Sequence, residues 1–86
     1  MKSKIVRGNL VKCKKDEIYL WEKYNIEENQ MGGSCQSHKN MSGIVLDVQP
    51  TKNTESYGWI AKVLMAQNQG NTTIGFTWCD LLIKVN

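Results

Sequence analysis

The residues with the most evident capacity for chemistry are three cysteines and a single histidine. Cys35 and His38 stand three positions apart, a spacing found in zinc sites, and Cys13 and Cys79 would complete a set of three thiolates and one imidazole. The chain has no second close pair, and Cys13 and Cys79 fall in runs of strand type where a small apolar side chain is expected. We therefore predict free thiols, with neither a metal ion nor a cofactor.

The Cys35–His38 pair could also supply a nucleophile and its base. Nucleophilic catalysis needs in addition a group that orients the base and a cleft that holds the substrate, and the sequence shows neither. A chain of 86 residues has room for only one modest core. The sequence therefore predicts a protein that is not an enzyme.

Aromatic side chains are the candidates for binding another protein. Tyr19, Trp21 and Tyr24 lie close together beside several acidic residues. An exposed cluster of Trp and Tyr favours aggregation unless a partner covers it, so these rings form either a lid over one end of the core or an anchor for a partner. With His38 they are the predicted partner-binding residues.

The first fifteen residues carry six cations and no acid, whereas the rest of the chain has five bases and eight acids. The cations that could contact phosphate groups are Lys2, Lys4, Arg7, Lys12, Lys14 and Lys15. Neighbouring residues of a strand face opposite sides, so at most about half of these cations could meet one phosphate backbone. We therefore expect any binding of nucleic acid to be weak.

Apolar alternation predicts a mostly β chain that has strands near 9–14, 44–49, 58–66, 73–79 and 81–85. The run YGWIAKVLM is followed by the turn cluster NQGN and then by a stretch rich in Thr, Phe and Trp, so the two runs predict a β-hairpin rather than a helix. In the second strand, alternation places Ile44, Leu46 and Val48 on one face and Val45 and Asp47 on the other.

The segment between the first two predicted strands is the ambiguous part of the chain. Residues 16–25 fit either a short helix capped by Asp16 or a strand. Residues 31–43 contain three glycines and three serines, which predicts a loop. Together they predict a long variable loop at about 16–42.

Five short strands with one long excursion between the first two suggest a barrel, which removes exposed sheet edges. The runs RGNLVKC, SGIVLDV, GWIAKVLM, FTW and LLIKV resemble those of small SH3-like β-barrel proteins of tailed bacteriophages, most of which have no assigned function. Gly43, Ile44 and Val45 carry a weaker similarity to KOW-type barrels of ribosomal and transcription proteins. The basic, glycine-rich turn of KOW modules is replaced here by QPTKNTESYG, which weakens the inference of nucleic-acid binding.

The resemblance implies one domain over 1–86, folded as a five-stranded SH3-like barrel. It implies a non-enzymatic protein–protein interaction module, as a small phage accessory or virion structural protein that contacts its partner through the loop at 25–42 and the aromatic residues. The alternative is a nucleic-acid-binding SH3/KOW-like barrel that uses the basic first strand. No run has the length of a membrane span or the apolar core of a signal peptide, so we expect no membrane partner and a location in the host cytoplasm or the virion.

Overall fold

The computed structural model describes residues 5–15, 17–25, 27–28, 30–39, 41–50, 58–66 and 72–85, and of residues 36–39 it describes the backbone alone. Seven β-strands and one short 3-10 turn occur in these ranges. They are β1 (Leu10–Cys13), β2 (Glu17–Asn25), β3 (Gln30–Lys39), β4 (Ser42–Pro50), β5 (Trp59–Ala66), β6 (Thr72–Trp78), the 3-10 turn (Cys79–Leu81) and β7 (Leu82–Lys84). The prediction of an all-β chain is confirmed.

All seven strands belong to one antiparallel sheet in the order β3-β2-β6-β5-β4-β1-β7. The five strands expected from the sequence are β1, β4, β5, β6 and β7. They are neighbours in the sheet, where their order is β6-β5-β4-β1-β7. Strands β3 and β7 end the sheet, and over the described ranges no ladder joins them, so the sheet is not closed. A closed five-stranded barrel is therefore not confirmed.

Strand β5 contributes more buried side chains than any other described strand. Ala61, Val63 and Met65 are fully buried on one face, as alternation predicts. Strand β6 runs antiparallel beside β5, from Ile60 opposite Trp78 to Ala66 opposite Thr72, so the predicted hairpin is confirmed. The core that these strands share with the rest of the sheet consists of Ile5, Val11, Ile18, Leu20, Met41, Val45, Ala61, Val63, Met65, Cys79 and Leu82.

Strand β4 departs from simple alternation at Leu46. Its pairing with β5 shifts between Val45 and Asp47, which marks a β-bulge. Because the bulge absorbs one residue, Val45 and Val48 both pack against the core, although alternation separates them. The predicted grouping of Val48 with Ile44 is therefore wrong.

Where a loop was predicted at about 16–42, the described residues form a second β-hairpin, which consists of β2 and β3. Strands β2 and β3 pair from Glu17 opposite Lys39 to Asn25 opposite Gln30. The helical alternative for 16–25 is wrong because Ile18 and Leu20, two residues apart, are both buried in the core, which is the period of a strand. The loop predicted over 31–43 is wrong because β3 and the start of β4 cover most of it.

The tip of this hairpin is held by the side chain of Asn25. Its Oδ1 atom accepts hydrogen bonds from the backbone N–H groups of Glu27, at 2.9 Å, and Glu28, at 3.2 Å. Asn favours such turns because its short side chain can hydrogen-bond to the backbone two or three residues further along. The turn reverses the chain and places β3 beside β2.

Candidate protein-contact surface

The aromatic residues selected from the sequence lie on β2, next to β6 in the sheet. The register places Trp21 opposite Phe76, so their side chains lie beside each other on the same face of the sheet. Tyr19, two residues before Trp21, is 53% exposed, whereas Trp21 and Tyr24 are half-buried. We refer to Tyr19, Trp21, Tyr24 and Phe76 as the aromatic surface.

Gly75 allows β2 to approach β6. This glycine is buried, and a Cβ atom built on it would lie 2.8 Å from Cβ of Leu20 and 3.1 Å from the carbonyl oxygen of Trp21. Contacts near 3 Å leave no room for a side chain, so any larger residue would push the two strands apart. The contact between β2 and β6 therefore depends on this glycine.

Phe76 contacts both an aromatic ring and a cation. The ring of Tyr24 lies 6.4 Å from it between centroids, tilted by 41°, which is a favourable aromatic pairing. Lys62 lies directly opposite Phe76 on β5, and its Nζ atom is 5.9 Å from the ring centroid, within the range of a cation–π interaction. Burial raises the pKa of the Tyr24 hydroxyl above its ordinary value of 10.0. The part of the aromatic surface that Tyr24 and Phe76 form is therefore held in place by packing.

The pairing of β2 with β3 is irregular next to the aromatic surface, on the side nearer the hairpin tip. The register between β2 and β3 shifts between Trp21 and Lys23. Opposite this point Gly33 adopts a φ of +76°, a conformation that L side chains rarely adopt, and a Cβ atom there would lie 2.9 Å from Cβ of Glu22. The Glu22 carboxylate accepts a hydrogen bond of 3.5 Å from the N–H of Ser34. These contacts hold the irregular geometry beside the aromatic surface.

His38 occupies a different part of the hairpin. Its backbone lies on β3 opposite Ile18, at the base of the hairpin, rather than opposite Trp21 or Tyr24. Its side chain is outside the described residues, so its part in binding stays a prediction. Phe76 and Lys62 were not selected from the sequence, because only the pairing of β2 with β6 and of β5 with β6 brings them to this surface.

The predicted phosphate-binding cations lie apart from the aromatic surface. Arg7, Lys12, Lys14 and Lys15 are exposed on or next to β1, while Lys2 and Lys4 are outside the described residues. Binding of single-stranded nucleic acid combines cations with aromatic rings on which bases stack. In the described ranges, the cations of β1 and the aromatic rings of β2 and β6 belong to strands that are not neighbours in the sheet.

The predicted metal ligands occupy unlike environments. Cys79 is buried, Cys13 is half-buried against the core, and Cys35 is exposed on β3 opposite Trp21. Across the described ranges, no group of three or more His, Cys, Asp and Glu side chains is placed to hold a metal ion. Cys35 and His38 both lie on a strand rather than in the loop expected for them.

Comparisons with protein-family models, curated proteins and solved structures found no match to this chain. The resemblance to phage SH3-like barrels and to KOW modules therefore stays a prediction. The part of the chain that the structure describes contains no helix long and apolar enough to cross a membrane.

Proposed function

We propose that this chain is a non-enzymatic protein–protein interaction module that binds its partner through the aromatic surface. The observation that carries the proposal is the exposure of Tyr19 beside the half-buried rings of Trp21 and Tyr24. Large, rigid aromatic side chains are enriched at the centres of protein interfaces, because they bury much area at a low cost in conformational entropy.

The alternative role of these residues is a lid over the core. A lid would bury its rings, whereas the side chains of β2 that enter the core are the aliphatic Ile18 and Leu20. Tyr19 alternates with them along the strand and is mostly exposed. These observations favour a role in binding a partner over a role as a lid.

We propose further that the domain is an SH3-like barrel with an inserted hairpin. The contiguous order β6-β5-β4-β1-β7 supports this, since it matches five strands with one excursion between the first two. A shared core also supports it, because Ile18 of β2, the strand next to one end of the sheet, and Leu82 of β7, the strand at the other end, belong to one cluster. A role as a small accessory or virion protein of a tailed phage, in the host cytoplasm or the virion, is supported by the sequence resemblance alone.

Affinity capture with a matched pair of variants tests the proposed contact. Tyr19→Ser removes a ring that is 53% exposed, and the control Val6→Ser removes a side chain before β1 that is 51% exposed and lies outside the aromatic surface. We expect wild type and Val6→Ser to retain the same partner from source cells or particles, identified by mass spectrometry. Tyr19→Ser should weaken that binding by about tenfold or more, as loss of an interface anchor does.

Both variants should keep the far-ultraviolet circular dichroism of the wild type, since each removes an exposed side chain. A partner that Tyr19→Ser retains as well as the wild type does would contradict the proposal. So would a partner that is lost with Val6→Ser but kept with Tyr19→Ser.

A further inference from the structure

The face of the sheet that points away from the core carries a row of aliphatic side chains across five strands. Leu10 lies directly opposite Ile44, and Ile44 lies opposite Leu64. Leu64 in turn lies opposite Ile74. The N–H of Val85 donates a hydrogen bond of 2.8 Å to the carbonyl oxygen of Leu10, which extends the row beyond β7. Residues that directly oppose each other share a face, so we refer to these five residues as the aliphatic row.

The aliphatic row is exposed to solvent, most of all away from its centre. Leu10, Ile74 and Val85 are 46%, 55% and 57% exposed, whereas Ile44 and Leu64 are half-buried. The row crosses five strands spaced about 4.8 Å apart, so it is roughly 19 Å long. None of its five side chains is polar. A contiguous exposed apolar patch of this kind indicates a contact surface.

The aliphatic row has an approximate two-fold pattern about the line between β4 and β5. On each side of that line a half-buried aliphatic residue comes first, Ile44 on β4 and Leu64 on β5. An exposed aliphatic residue follows on the next strand, Leu10 on β1 and Ile74 on β6. A surface with this pattern matches a copy of itself that is turned by a half rotation about the line.

We propose that two copies of this chain pack face to face through their aliphatic rows, about a two-fold axis that runs between β4 and β5. The axis places Leu10 of one copy over Ile74 of the other, and Ile44 over Leu64. Two sheet faces that pack in this way lie about 10 Å apart, with strands nearly aligned. The inference goes beyond the proposed function, because it concerns other residues and a different partner.

The charged residues beside the aliphatic row are compatible with the same axis. Asp47 and Lys62 oppose each other on β4 and β5, two residues or one bulge away from the row, and the axis sets each of them over the other in the second copy. On the other side of the row, Lys12 shares the face with Thr72 of β6, and the axis places these two together. In these described rows, therefore, no like charges meet.

The size and composition of the contact predict a weak dimer that does not depend on charge. A row roughly 19 Å long is smaller than the roughly 800 Å² that each partner buries in a standard interface. Burial of aliphatic side chains is strengthened by sulfate, whereas a contact between exposed charges weakens with any salt. An isologous contact uses the same surface on both copies, so association should stop at the dimer.

Sedimentation velocity on the purified full chain tests the proposal. Samples from about 10 μM to 1 mM cover the range of a weak contact. We expect the mean mass to rise with concentration toward that of a dimer and no further. Addition of sodium sulfate to about 0.3 M should strengthen the association by about twofold or more.

Two single substitutions test which residues face each other. Leu10→Lys and Ile74→Glu change exposed positions, and each alone should weaken association by about tenfold or more, because an unpaired charge then meets an aliphatic side chain. An equimolar mixture should recover association, since the Lys of one variant faces the Glu of the other and the native contact remains at the second site. The matched control Val6→Lys, at a position that is 51% exposed and outside the row, should stay within about twofold of wild type.

A milder variant protects the test against misfolding. Leu10→Thr with Ile74→Thr keeps side chains suited to strands and removes apolar surface from both ends of the contact. It should also weaken association by about tenfold or more while the far-ultraviolet circular dichroism stays that of the wild type.

A chain that stays monomeric at 1 mM in sulfate would overturn the inference. Species larger than a dimer, association that survives the substitutions in the row, or a mixture that fails to recover it would overturn the inference as well. A monomeric chain whose captured partner is lost with Ile74→Glu would assign the row to that partner instead. The proposed function is tested separately, because Tyr19→Ser should abolish capture and leave self-association unchanged.

Discussion

The five contiguous strands β6-β5-β4-β1-β7 and the β2–β3 hairpin are stabilised in different ways. In the five-strand part, inward side chains such as Val63 and Met65 are fully buried. In the hairpin, Ile18 and Leu20 of β2 enter the core, whereas the described side chains of β3 are exposed or half-buried. The five-strand part is therefore stabilised by buried side chains. The hairpin is attached to the core through β2, and β3 is held to β2 by backbone pairing.

This difference suits the hairpin to a contact role. Strand β3, which contributes no described side chain to the core, can vary in its exposed side chains without a large loss of folding free energy. The attachment of β2 to β6 nevertheless holds Trp21 beside Phe76, so the aromatic surface sits on a supported strand rather than on a loose loop.

Truncation of one methionine in each part should give the largest contrast. Met65→Ala empties a fully buried position of β5 and should lower the free energy of unfolding by about 2–5 kcal/mol. Met31→Ala on β3 removes a half-buried side chain and should cost less than about 1 kcal/mol. Urea denaturation of both variants measures the contrast, and equal losses would show that β3 packs into the core as β5 does.

Substitution of the glycine between β2 and β6 should loosen the hairpin. Gly75→Ala forces a Cβ atom against Leu20 and the backbone of Trp21, and such overpacking costs about 1–3 kcal/mol. The control Gly32→Ala places its Cβ atom where no heavy atom lies within 4 Å. Amide hydrogen exchange should show greater loss of protection in β2 and β3 than in β5 for Gly75→Ala alone. An equal effect of the two substitutions would exclude the close approach at Gly75.

A buried hydroxyl on β6 should make one substitution neutral or favourable. In the described part of the chain, Oγ1 of Thr77 is buried without a hydrogen-bond partner. Thr77→Val keeps the shape and removes the unsatisfied group, so it should raise the free energy of unfolding by up to about 1 kcal/mol. Thr73→Val, at a half-buried position of the same strand, should gain less. A loss of stability in Thr77→Val, measured by urea denaturation, would show that the hydroxyl is bonded.

The smallest expected effect is a pH dependence at Tyr24. Its pKa is raised in the folded state by burial, so well below pH 10 the phenol is protonated in both states and stability does not depend on it. As the pH rises above 10, the unfolded state ionises first, and unfolding becomes more favourable. Wild type should therefore lose more stability than Tyr24→Phe between pH 10 and higher values. Equal slopes of the free energy of unfolding in that window would contradict the burial of Tyr24.

The five-strand part can be predicted from the sequence because buried side chains recur at every second residue of its strands. The alternation of Trp59, Ala61, Val63 and Met65 with Ile60, Lys62 and Leu64 gives β5 and its faces directly. The register of β4 was harder to predict, because its bulge at Leu46 leaves no distinctive residue in the sequence.

The hairpin was hard to predict for the opposite reason. The run MGGSCQSHKN has little apolar alternation, and its composition is that of a loop, yet its backbone pairs with β2 over most of its length. Glycine is permissive enough to allow either outcome. Tyr19, Trp21 and Tyr24 could be selected from their residue types, but Phe76 joins them only through strand order.

The most direct test is to identify the strand that pairs with β2, because the position of the aromatic surface depends on that pairing. Nuclear Overhauser effects between backbone protons in the labelled full chain report it. We expect cross-strand contacts between Trp21 and Phe76 and between Trp21 and Cys35, with no helical pattern over 17–25. A helical pattern there, or contacts of β2 with β7 in place of β6, would contradict the account.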